Sequence, residues 1–135
     1  MTTKARRILV VGALLLAATA ASGCGKSDNP TLGSVSGTVS LDGTPLANAL
    51  VLFTPAGEGR TSRATTNSDG RYILNYLRDI GGANLGPHVV RITTASAENG
   101  KKESLPPRYH AKSTLSASVA PGDNTIDLQL ESKPR

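Results

Sequence analysis

Apart from carboxylates, lysines and a scatter of serines, few side chains here could act as nucleophiles, metal ligands or proton carriers: Cys24, His88 and His110. A catalytic zinc ion takes three protein ligands at recognisable spacing. His88 opens an expected strand and His110 closes a proline-rich loop, so both are expected at the surface and outside any ligand set. No serine stands in a Gly-x-Ser-x-Gly elbow, and Ser34 and Ser36 lead into a strand. Asp69 precedes a glycine but lacks the repeated acids of a calcium loop, and it reads as part of a turn. No catalytic residue, metal or cofactor is therefore expected. Cys24 is the exception. As the only cysteine it has no disulfide partner within one chain, and its surroundings point to modification instead.

Lys4, Arg6 and Arg7 form a positive segment without acids, Ile8 to Ala20 are almost wholly apolar, and Ala21-Ser22-Gly23 are small. That order is the layout of a secretory signal peptide. With a cysteine directly after it, the segment resembles a bacterial lipoprotein signal, with Ala21-Ser22-Gly23-Cys24 as its lipobox. The resemblance implies cleavage between Gly23 and Cys24, lipid on the sulfur, and an acyl chain such as palmitate on the new amine. It places the chain in a bacterial cell envelope, attached to a membrane through the lipid. Gly25 after the cysteine implies the outer membrane, facing the periplasm or the surface. The alternatives are a plain secretory signal, since Ala21 replaces the usual leucine, and an uncleaved helix. About 20 apolar residues are needed to span a bilayer, and this run is shorter.

Removing Met1 to Gly23 takes away three cations and no acid, so the formal charge falls from +5 to +2. With no dense Lys/Arg stripe and no interleaved aromatics, nucleic acid is not an expected partner. The remainder suits one small domain. It contains no Trp, one Phe and three Tyr, so Val, Ile, Leu and Ala must supply most of its core.

The elements that position these residues are short strands between turns. Val35 to Leu41 alternates apolar residues or glycine with Ser and Thr, which fits a strand with one buried face. Asp42-Gly43-Thr44-Pro45 makes a turn. Ala49 to Phe53 is an internal strand, Ser62 to Thr66 a polar edge strand, and Asn67-Ser68-Asp69-Gly70 a second turn. Arg71 to Leu74, His88 to Thr93, Leu115 to Val119 and Ile126 to Leu130 complete seven strands, with Pro121-Gly122-Asp123-Asn124 turning the chain before the last. Asn75 to Pro87 is glycine-rich and fits at most one helical turn near Tyr76 to Ile80. Ala95 to Tyr109 is expected as an exposed loop. The expected fold is all-β, a seven-stranded antiparallel β-sandwich after an N-terminal signal segment. The division is a signal peptide over 1–23, a flexible tether over 24–33, the sandwich over 34–131 and a tail over 132–135.

Val35-Ser36-Gly37-Thr38-Val39 with Asp42-Gly43-Thr44-Pro45-Leu46, then Ala49 to Pro55, Thr65 to Tyr72 and Gly86 to Ile92, together resemble carboxypeptidase regulatory-like domains. In that pattern His88 stands at a usually aromatic position. The resemblance covers nearly all of the chain after Cys24 and implies a transthyretin-like (Ig-like) sandwich; it implies little about activity, because these domains are accessory modules or proteins of unknown role. Hydroxyisourate hydrolases, intradiol dioxygenases and isopeptide-forming pilin domains share related sandwiches. Their C-terminal Tyr-Arg-Gly-Ser, His-x-His pair and early-strand lysine are absent here. The function expected is a non-catalytic, lipid-anchored module whose loops meet an envelope protein or a glycan. Arg78, Lys101, Lys102, Arg108, Tyr109 and Lys112 are the candidate contacts, if the cations gather at one end; the alternative is that the cations are ordinary solvated charges and that Tyr109 packs over the sandwich edge. The alternative is a small-ligand-binding or transport-accessory module, which would need an apolar pocket between the sheets.

Overall fold

The computed structural model describes residues 30–95 and 102–133, so Gly23, Cys24, the signal segment and Lys101 lie outside the described residues. Valine, isoleucine and leucine alternating with serine and threonine form strands because branched side chains pack well on a pleated surface. In chain order the strands are β1 (Leu32–Leu41), β2 (Thr44–Pro45), β3 (Leu50–Pro55), β4 (Ser62–Thr65), β5 (Arg71–Ile73) and β6 (Asn75–Leu77). There follow β7 (Ile80–Gly81), β8 (Ala83–Asn84), β9 (Gly86–Thr93), β10 (Ser116–Val119), β11 (Gly122–Thr125) and β12 (Leu128–Leu130). The one helical element among the described residues is a 3-10 turn, Pro107–Tyr109. The protein is an all-β sandwich.

All seven expected strands form, but the strands among the described residues number twelve. The additional ones are β2, β6, β7, β8 and β11. No helical turn forms at Tyr76 to Ile80; that stretch folds instead as the β6–β7 hairpin, with Leu77 opposite Ile80. Pro121 to Asn124, expected as a turn only, continues into β11. β11 and β12 keep the same register on β1, Ser36 opposite Thr125 and Val39 opposite Leu128. They are one strand interrupted at Ile126–Asp127, where the Asp127 carboxylate accepts the Thr38 N–H at 2.9 Å.

One sheet is built around β1, which pairs with β2, β5 and β8 antiparallel and with β11 and β12 parallel. The parallel pairs depart from the expected antiparallel order. They arise because the chain crosses from β10 in the other sheet before returning beside β1, and parallel neighbours require such a crossover. The second sheet is antiparallel throughout, in the order β10-β9-β3-β4-β6-β7. β1 begins at Leu32, two residues before the expected start of the sandwich.

Between the sheets the period-two alternation buries Val35 and Val39 from β1, Val51 and Phe53 from β3, Tyr72 from β5, and Val90 and Ile92 from β9. The Phe53 ring lies 6.4 Å from Tyr72 and 5.8 Å from His88, centroid to centroid. His88 is therefore a core residue, 1% exposed, and not the surface histidine expected from its place at a strand end. It shares the inner face with Val90 and Ile92, and its Nδ1 lies 2.9 Å from the Gly86 carbonyl oxygen. The expected turns at Asp42 to Pro45 and Asn67 to Gly70 form. Asp42 and Gly43 have positive φ of 51° and 83°, as a tight two-residue hairpin turn requires. The Asn67 side-chain oxygen accepts the N–H groups of Asp69 and Arg71 at 3.0 and 2.9 Å, an Asx turn that leaves Asp69 a loop residue.

Candidate functional site

β3, β4 and the β6–β7 hairpin meet at the end of the sandwich where β1 enters. On β4 the alternation turns Ser62 and Ala64 inward and leaves Arg63 exposed. Arg63 pairs with Asn75, and β6 then runs antiparallel to β4, carrying Tyr76, Leu77 and Arg78 back toward the loop that holds Arg60 and Thr61. These residues enclose an open cleft of about 520 Å³. Its rim holds three exposed guanidinium groups, Arg60, Arg63 and Arg78, and its lining includes no carboxylate. The Arg60 guanidinium carbon stands 6.0 Å from the centre of the Tyr76 ring, at the outer reach of cation–π attraction. Guanidinium groups offer forked donors that match carboxylate, phosphate or sulfate oxygens two at a time. The cleft can therefore hold an anionic group. Asn75 also borders a second, more polar groove of about 790 Å³ that follows the open edge between the sheets, lined by Thr38, Thr65, Asn67 and Asp127 among others.

The loop residues singled out in the sequence do not come together. Arg78 lies at the entry end with Arg60 and Arg63, whereas Arg108 follows β9 at the far end, beside the finish of β12. Strand direction decides this, since β6 and β9 run oppositely relative to β4 and β3. Tyr109 is not an exposed contact: it is 7% exposed, and its hydroxyl accepts the Glu131 N–H at 2.8 Å. The Arg108 guanidinium donates to the Glu131 and Lys133 carbonyls and lies 4.8 Å from the Tyr109 ring centre. Both residues clamp the end of β12 to the 3-10 turn. Lys102 and Lys112 are exposed, and Lys102 borders a small hollow with Leu46, Asn48 and Thr94. His110 is half-buried, its Nε2 at 3.1 Å from the Leu105 carbonyl oxygen. Among the described residues no group of three or more His, Cys, Asp and Glu is placed to hold a metal ion.

The sequence reading passed over Arg60 and Arg63, which flank the start of a polar edge strand. Their spacing was visible, but their closeness to Arg78 depends on the β6–β7 hairpin. It also passed over Glu103. That carboxylate accepts hydrogen bonds from the Thr93 and Thr94 hydroxyls and from the N–H groups of Thr94 and Leu105, and so ties the long loop to the end of β9. Burial alone would raise its pKa, but these donors outweigh it and lower the carboxyl from 4.5 to about 2. A folded pKa below the unfolded one means that this stabilisation is complete above pH 4.5 and is lost as pH falls toward 2. Glu103→Gln should therefore melt below the wild type at pH 7, with the gap closing at pH 2. A constant gap in thermal melts across that range would remove the clasp.

No protein-family model matches the chain, and no curated protein matches it in sequence. Among solved structures the chain is similar to a DUF3823 family protein from Parabacteroides merdae, at 14% identity and a TM-score of 0.47. That likeness covers 75% of this chain and 46% of the other, so the chain spans less than half of that protein's length.

Proposed function

We propose that the chain is a non-catalytic lipoprotein of a bacterial cell envelope, held to a membrane by lipid on Cys24. In this reading its sandwich is a carboxypeptidase regulatory-like, transthyretin-like domain that meets a protein or glycan partner. The observation that most supports a binding role is the arginine-rimmed cleft at the entry end, where three cations face one opening. A small-ligand carrier would need an apolar cavity between the sheets. That space is occupied by Phe53, Tyr72, Leu74 and Ile92, all 2% exposed or less, which favours contact at the surface. Support for the anchor lies in the basic, apolar and small-residue order ending at Cys24. Gly25 to Thr31 can span at most about 25 Å, so a lipid on Cys24 would keep the sandwich close to the membrane. Gly25 favours the outer membrane.

Intact-mass measurement of the membrane-extracted protein and a Cys24→Ala variant tests the anchor. A chain starting at Cys24 with added acyl mass is expected, with the variant unlipidated and released from the membrane fraction. A chain cleaved elsewhere, or one retaining Met1 to Gly23, would remove the lipoprotein reading.

A further inference from the structure

The three guanidinium groups of the cleft are uncompensated where they open. None of Arg60, Arg63 and Arg78 makes an ion pair among the described residues, and Arg60 contacts only the Tyr76 ring. Like charges gathered around one hollow repel one another, so an anion entering it relieves that repulsion as well as filling the forked donors. Glu58, Asp79 and Asp123 stand at the same end, outside the cleft lining, so the end as a whole carries little net charge. A flat anionic surface would meet little net attraction, and only a group that enters the cleft would meet the arginines together. Beyond Asn75 the continuing groove offers hydroxyl and amide side chains, Thr38, Thr65, Asn67 and Asn75, with one cation, Arg71, and one carboxylate, Asp127, beside them and Ile73 its one large exposed aliphatic side chain. A peptide would seek apolar pockets or a free strand edge, and the outer edge strand β7 has only two residues. Hydroxyl-rich, chain-like and locally anionic describes an acidic sugar polymer.

We infer that this cleft binds a carboxylated polysaccharide, its uronate groups paired with Arg60, Arg63 and Arg78 and its hydroxyls following the groove past Asn75. The inference rests on the reading of the chain as a binding module and is independent of its lipidation. The test is the fluorescence polarisation of labelled oligogalacturonate titrated with the full chain extracted in neutral detergent. Binding is expected, weakened at least tenfold in a combined Arg60→Gln, Arg63→Gln, Arg78→Gln variant of unchanged melting temperature. Lys133→Gln at the far end should bind as the wild type does. Arg63→Lys should bind more weakly than the wild type, because an ammonium is a point charge without the fork. A neutral galactose oligomer should bind at least tenfold more weakly than the uronate. Equal loss in Lys133→Gln, or equal binding of the neutral oligomer, would overturn the inference. So would polyglutamate or phosphatidylglycerol vesicles binding as tightly as the uronate; if the triple variant abolished that binding, the module would remain a binder of another anion. No binding of any of the three anionic probes would overturn the inference and leave the cleft without a partner.

Discussion

Gly37→Ala is expected to be among the most damaging single substitutions in the sandwich, costing about 3 kcal/mol or more. A β-carbon at this position would lie 1.9 Å from the Ile126 carbonyl oxygen and 2.6 Å from its carbon. Both are backbone atoms, so no side-chain rotation relieves the overlap. The crossing strand cannot move aside cheaply either, because the Ile126 N–H donates to the Ser36 carbonyl at 2.8 Å and the Tyr72 hydroxyl donates to the Ile126 carbonyl. Gly37 thus lets the interrupted β11–β12 strand lie directly on β1, joining the two halves of the first sheet. Single domains hold only about 5–15 kcal/mol in total, so the variant should show a large fall in urea midpoint. Gly57→Ala is the matched control. Nothing lies within 4 Å of a β-carbon there, and the change should stay within about 0.5 kcal/mol. Equal midpoints for the two variants would mean that β1 and Ile126 do not meet as described.

Phe53→Ala should cost about 3–5 kcal/mol, through lost burial and the cavity left behind. Phe53 is the chain's only phenylalanine, is fully buried, and stands between the Tyr72 and His88 rings. Apart from Tyr72, Tyr109 and His88 the core is built from Val, Ile, Leu and Ala, and few of these side chains are large enough to collapse into the gap. The loss would also loosen the packing around His88, whose Nε2 has no hydrogen-bond partner among the described residues. Phe53→Leu retains much of the volume and should cost clearly less. Ile73→Ala, at a side chain 69% exposed, should cost far less than either. Chemical denaturation of the three variants orders them, and a Phe53→Ala midpoint equal to that of Ile73→Ala would contradict the packing.

Much of this architecture was legible along the chain. Period-two alternation in Val35 to Leu41 and in His88 to Thr93 marks strands with one buried face, and Asn67 to Gly70 carries its turn chemistry in its own side chain. Local signals of this kind need no partner. His88 was misjudged because its place at the start of a strand suggested the surface, while its parity with Val90 and Ile92 already assigned it to the inner face. For Tyr109, two preceding prolines identify a loop but not what the loop packs on. Its burial depends on Glu131, 22 residues away.

The sequence by itself determined the all-β class, the position of every main strand and the turn residues between them. It also determined the pattern around Cys24 on which the anchoring proposal stands. These follow from local sterics and hydrophobic spacing, which neighbouring residues set together. Tertiary structure alone decided that Arg78 joins Arg60 and Arg63 and parts from Arg108, and that Glu103 clasps the end of β9. It alone decided that Gly37 lies under Ile126. Each is a meeting of residues far apart in the chain, and strand direction and register, not spacing along the sequence, determine which side chains share a place.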